Sequence, residues 1–113
     1  MVTAIDILKA AREKLEGEGA WTKGAFARTK DGNVIGYEEK NAVCFCALGA
    51  LRRVTDEDDP GSQRASFKAT EKLIEALGGS SIPAMNDHLE TTQLHMLMSF
   101  DFAILMAEDE VKV

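Results

Sequence analysis

Only two cysteines and two histidines occur among the 113 residues, and thirteen basic residues face nineteen acidic ones. Each shortage closes off a class of chemistry. Cys44 and Cys46 are too close together to clip a long loop, and a structural disulfide framework needs more partners. Reduced thiols and a cytoplasmic setting are the expectation. A formal net charge of −6 disfavours nucleic-acid binding, because that needs a basic face able to displace counterions from phosphates. No run approaches the roughly 18 to 20 uninterrupted apolar residues of a membrane span. The opening "MVTAIDILKAAREKLEGEGAW" carries acids along an amphipathic pattern, unlike the basic head and apolar core of a secretory leader. His88 and His95 are seven apart, which on a helix separates them by roughly 10 Å along the axis. Cys44 and Cys46 would point to different faces of a helix. Neither pair can share one ion, so no metal and no cofactor are expected.

What is present is helical periodicity. Hydrophobic residues make up 45% of the chain and charged residues 28%, which suits one globular domain over residues 1–113. Residues 108–113 read as an acidic tail that frays. "TAIDILKAAREKLEGEG" places Ala4, Ile5, Leu8, Ala11 and Leu15 at helical spacing, with Thr3 as N-cap and Gly17 and Gly19 as stops. In "NAVCFCALGALRRV", Asn41 reads as an N-cap, and Val43, Cys46, Ala47, Ala50, Leu51 and Val54 form a stripe. Gly49 costs about 1 kcal/mol against alanine inside a helix, so its presence predicts a close packing partner, either Trp21 or another helix. "GSQRASFKATEKLIEALGG" predicts a third helix capped by Ser62, with Phe67, Thr70, Leu73, Ile74 and Leu77 facing inward. "TTQLHMLMSFDFAILMAEDE" is apolar nearly all round and predicts a buried or interfacial fourth helix. Between the first two helices, "KDGN" sits between Phe26–Thr29 and Asn33–Ile35. Asp-Gly suits a tight turn, so a short β-hairpin is expected there. "SSIPAMNDHLE" reads as a linker, because Pro83 forbids a helix running through it.

The stretch "IPAMNDHLETTQLHML" raises the functional question, since it sets Asn86, Asp87 and His88 just before the apolar helix. Asn86 or Asp87 suits the N-cap of that helix, with Thr91 or Thr92 as alternatives. Cys46 with His88 and either Asn86 or Asp87 has the inventory of a cysteine nucleophile. Cys46 lies in the apolar stripe, however, where burial raises a thiol's pKa and makes it inert. Asp101 falls on the Leu97–Met98–Ile104–Leu105 face and needs a cation there, with Arg28, Arg52 or Arg53 as candidates. Were Trp21, Arg28, Asn86 and Asp87 to converge, they would supply an aromatic wall, a cation and hydrogen-bonding groups for a small polar ligand.

Four parts of the chain together carry a family likeness. They are the N-terminal helix, "AWTKGAFARTKDG", "CALGAL" after "NAVCF", and "IPAMNDH" followed by a helix with "TTQ" and "SFDFAI". Their order resembles that of small bacterial and phage proteins catalogued as domain of unknown function 6197. The resemblance spans most of the chain. It implies that Cys46, Gly49, Ala50 and Leu51 match one family element, Asn86 and Asp87 another, and Asp101 a third. It groups Trp21, Arg28, Asn86, Asp87 and Asp101 into one constellation. Met85 departs from the pattern, which often has tryptophan before Asn-Asp.

The fold expected is mainly α: a small four-helix bundle with a short β-hairpin between helices 1 and 2. The function expected is a non-enzymatic module that binds itself or another protein. The apolar excess of the last helix (Met96, Met98, Phe100, Phe102, Met106) supports it. The alternative is a small enzyme or ligand-binding domain with a pocket built from Trp21, Arg28, Asn86 and Asp87. A third reading is an acidic decoy acting through Asp56 to Asp59.

Overall fold

The computed structural model describes residues 1–111. It is mainly helical, with eight elements in chain order: α1 Ala4–Leu15, β1 Ala27–Arg28, β2 Val34–Ile35, β3 Cys44–Phe45, α2 Ala47–Arg53, α3 Pro60–Ala76, α4 Ile82–Asp87 and α5 Gln93–Val111. Five helices and three strands therefore replace the expected four-helix bundle with a hairpin.

α1 begins as its sequence predicts. The Thr3 hydroxyl accepts from the Asp6 amide, and the Asp6 carboxylate accepts from the Thr3 amide, so two orphan donors of the first turn are satisfied reciprocally. Ile7, Leu8, Ala11 and Leu15 are buried. They meet Met96, Phe100, Ala103 and Ala107 of α5 and Ala65, Ala69 and Leu73 of α3 in one core. The small residues of α3 let it approach closely, and α3 differs here from the expected face. Its buried line is Ser62, Ala65, Ala69 and Leu73, while Phe67 is 70% exposed. Asp59, not Ser62, caps α3, because Pro60 fits the first helical turn and frees Asp59 to accept from the Gly61 amide at 3.0 Å. The Ser62 hydroxyl accepts from the Asp56 amide instead.

The second helix is shorter than its periodicity suggests. Residues 43–46 are extended, and their backbone groups are taken. The Val43 amide donates to Arg28, the Phe45 amide to Ala20 and the Cys46 amide to Phe26, while the Phe45 carbonyl accepts from Thr22. Asn41 therefore caps nothing helical, and Cys46 becomes the N-cap, its Sγ accepting from the Gly49 amide at 3.2 Å. β3 adds to the hairpin to give an antiparallel sheet of order β2-β1-β3, with Ala27 opposite both Ile35 and Phe45. The "KDGN" turn forms where expected, with the Gly32 amide donating to the Thr29 carbonyl and Gly32 at φ 87°.

Gly49 has the packing reason expected, but the partner is the β1 approach rather than Trp21 or a helix. A Cβ there would lie 2.1 Å from the Phe26 carbonyl oxygen. That oxygen is fixed, since it also accepts from Cys46. "SSIPAMNDHLE" is not a linker throughout. Pro83 sits in the first turn of α4, where its missing amide costs nothing, and the Ser81 hydroxyl caps the helix.

α5 runs on to Val111, so residues 108–111, expected to fray, are helical; residues 112–113 lie outside the described residues. The end of α5 is tied down by Lys72. This side chain is largely buried and donates to Glu75 and Glu110. The Glu110 bond raises the Lys72 pKa first and the Glu75 bond second, and the same contact lowers that of Glu110. At the opposite end, Gln93 Nε2 donates to the Leu15 and Gly17 carbonyls at 2.7 and 2.8 Å, closing the C-terminus of α1.

Two outcomes test this packing. Gly49→Ala gains about 1 kcal/mol of helix propensity but pushes the Phe26 carbonyl away, with a net loss of about 2 kcal/mol. Thermal melts should show the midpoint falling on the order of 10 °C. A depressed carboxylate pKa contributes stability above its unfolded value and loses it as pH falls through the folded one. Glu110→Gln should therefore lower the melting midpoint at neutral pH, and the gap to the parent should close in acid.

Candidate functional site

Asn86 is the most deeply buried polar side chain among the described residues, 0% exposed at the end of α4. It is not the cap of α5. Its Oδ1 accepts from Trp21 Nε1 at 2.7 Å and from the Ala47 amide at 3.0 Å. Its Nδ2 donates to the Thr22 carbonyl and to Asp87 Oδ1, each at 3.0 Å. A carboxamide offers two acceptor lone pairs and two donors, and all four are used. Three separate pieces of chain meet here: the Trp21–Thr22 segment, the start of α2 and the end of α4. The first turn of α5 is served instead by Thr92, whose hydroxyl accepts from the His95 amide.

Asp87 extends the arrangement. Its Oδ1 also accepts from the Gly24 amide at 3.0 Å. Arg28 closes the far side of the same loop, but not by pairing with Asp87. Its guanidinium donates to the Thr22 hydroxyl and to the Gly32 and Lys23 carbonyls. Lys23 Nζ reaches the His88 carbonyl at 2.6 Å and lies 5.4 Å from the centre of the Trp21 ring. The loop from Trp21 to Arg28 is thus held to α4 by side chains that serve backbone groups.

Of the residues grouped by sequence, Trp21, Asn86 and Asp87 form a connected network. Arg28 joins it through Thr22. Cys46 adjoins it through the Ala47 amide and shares a cleft with Asp87. Asp101 stands apart and is exposed, with 52% of its side chain accessible. Its partner is Arg12 rather than Arg28, Arg52 or Arg53. The Arg12 guanidinium grips both carboxylate oxygens, at 2.6 and 3.2 Å, and also holds Glu16. The face of α5 expected to be buried lies partly outward, which is why Asp101 needs no buried cation.

The chemistry open to this cluster is narrow. Burial pushes the Cys46 thiol up, the Asp87 carboxylate adds to the shift, and the Gly49 and Leu48 amides partly oppose it. A neutral thiol is a poor nucleophile. The His88 and His95 rings each accept locally through Nδ1, from the Glu90 and Thr92 amides. Among the described residues, no three histidine, cysteine or acidic side chains converge in a way that could hold a metal ion. No described helix is long and apolar enough to cross a membrane.

Residues 1–105 match a family of unknown function, DUF6197. The chain belongs to this family. No curated protein and no solved structure matches it. Within the matched span, Cys46 caps α2 through its thiol and Gly49 admits the Phe26 carbonyl. Asn86 forms the interior lock, and Asp87, which is exposed, extends it toward solvent.

Nothing in the sequence signals the roles of Thr22 and Gln93, and Gly24 stands out there only as a member of a mixed cluster with Trp21, Lys23 and Arg28. Thr22 and Gly24 act through backbone groups and a hydroxyl, which carry no periodic signal. Gln93 was visible only as a polar residue at the head of an apolar helix.

Removing the lock should be costly. Asn86→Ala strands the Trp21 ring N–H, the Ala47 amide and the Thr22 carbonyl. Urea unfolding should show a loss of about 3 kcal/mol or more, since each buried orphan costs roughly 1 to 3. Asn86→Asp should fare no better at neutral pH, where a carboxylate oxygen would face two acceptors, and should recover partly in acid.

Proposed function

We propose that the protein is a non-enzymatic interaction module that associates with a second copy of itself through the outer face of α5. The observation that carries this reading is a row of large apolar side chains along that face. Leu94, Met98, Phe102 and Leu105 are 64%, 58%, 53% and 59% exposed. Their spacing of four, four and three residues keeps them on one side of the helix over about 16 Å. Single exposed apolar residues are ordinary on a surface, whereas a continuous row marks a contact site.

The surroundings suit a twofold contact. Such an interface uses one patch twice, so the patch must offer both a ridge and something to receive it. Beside the row lies a groove of about 320 Å³ lined by Leu77, Met85, Thr91, Met96 and Met98. Met98 belongs to both. Methionine side chains adapt their shape readily, which helps one surface meet its own copy. On the other flank Arg12 neutralises Asp101, so that edge does not present a bare carboxylate to its counterpart. The side chains at the buried lock serve architecture, whereas the outer row on α5 has no packing partner within the chain. A reducing, cytoplasmic setting is part of the reading, supported by two free, buried thiols.

Sedimentation equilibrium provides the test. The parent protein should sediment as a dimer at micromolar concentration. Met98→Glu and Phe102→Glu should give monomers with unchanged circular dichroism, because both positions are exposed. A parent that stays monomeric across that range overturns the reading.

A further inference from the structure

A second concave surface lies away from α5, between the sheet and α4. This cleft of about 310 Å³ is walled by Phe26, Val34, Ile35 and Pro83, with Cys46 and Asp87 as its polar groups. The size is at the lower end of small-molecule sites, and the pattern of apolar walls with a few converging polar groups is the usual one. Phe26 and Val34 are 44% and 63% exposed, so the apolar walls open to solvent rather than belonging to the core.

The state of Asp87 selects the ligand. Its Oδ1 is fixed by the Gly24 amide and by Asn86 Nδ2. Among the described residues, Oδ2 has no hydrogen-bond partner, and no basic side chain pairs with the carboxylate. The nearby cations are committed elsewhere: Arg28 and Lys23 donate to backbone carbonyls, and Arg52 lies over the Phe26 ring at 5.8 Å. The carboxylate is therefore oriented by two donors, exposed to solvent and without an ion-pair partner among the described residues, at the edge of an apolar recess. The neutral Cys46 thiol adds a compact, polarisable wall and no charge of its own.

We infer that the cleft between the sheet and α4 binds a small organic ammonium ion with a compact apolar body, with Asp87 Oδ2 as its counter-ion and Phe26, Val34, Ile35 and Pro83 around the body. An anion of the same shape would meet the Asp87 charge. A neutral analogue would leave the carboxylate unpaired while covering part of its water, which costs affinity. This inference is independent of the self-association reading, since the cleft contains no residue of α5.

The test is a titration of ¹⁵N-labelled protein with benzylamine, which is an ammonium ion at neutral pH, alongside benzyl alcohol and benzoate. Benzylamine should shift the amides of Gly24, Phe26, Ile35 and Cys46 in a saturable way. Benzyl alcohol should bind at least about tenfold more weakly, as expected for loss of a charge-assisted bond, and benzoate should leave those amides unmoved. Asp87→Asn retains an oxygen for the Gly24 amide and should weaken benzylamine by a similar factor. Should that variant fail to fold, Val34→Trp fills the cleft mouth from an exposed position and should abolish the shifts. No saturable shift with benzylamine overturns the inference. Equal binding of the amine and the alcohol also overturns it, as that would mark an unselective apolar recess.

Discussion

One side-chain amide holds the architecture together. Asn86 satisfies the Trp21 ring N–H, the Ala47 amide and the Thr22 carbonyl at once, from a site with no access to water. α4 is only six residues long, too short to be stable alone, and its job is to deliver that amide. The placement of the sheet follows. Ala20 and Thr22, on either side of Trp21, bracket Phe45 through two backbone bonds, and Phe45 carries β3 against β1. Take away the amide and two interior donors and one carbonyl would lose their partners.

The same economy appears at the other joints. Cys46 directly follows β3, caps α2 through sulfur and presents its amide to the Phe26 carbonyl. Gly49 is required one turn later because that carbonyl comes so close. Among the described residues, no buried side-chain nitrogen or oxygen lacks a partner. A small domain has little excess stability, and each unpaired buried group would consume a sizeable share of it. The polar side chains that looked like chemistry are thus largely the means by which irregular backbone is accommodated inside.

Local signals in the sequence were dependable where the structure is local. The Thr3 cap of α1 and the Asp-Gly turn depend on neighbours a few residues away, and they can be read directly. The second helix could not be. Residues 43–46 have helical periodicity, but the Ala20, Thr22, Phe26 and Arg28 backbones claim their hydrogen bonds, and that pairing is invisible in a single stretch of chain. α5 misled for a related reason: when apolar residues surround a helix, periodicity cannot say which side faces in. Phe100 and Met96 do, whereas Leu94 and Leu105 do not. Trp21, Asn86 and Asp87 meet although residues 65 apart share no pattern along the chain, so the residues alone raise their convergence only as a condition and the family likeness groups them. Asp101, grouped with them by the same likeness, lies apart, because its partner Arg12 sits on α1, 89 residues earlier.

Several of the decisive bonds close long intervals of chain. Trp21 waits for a residue 65 positions later, the start of α2 for one 39 later, and the end of α1 for Gln93, 78 later. During synthesis, therefore, the N-terminal half emerges with its turns and first helix able to form but nothing to fasten them. Closure comes only after Asn86 and Gln93 have left the ribosome, so the bonds that fix these elements form well after the elements they join have emerged.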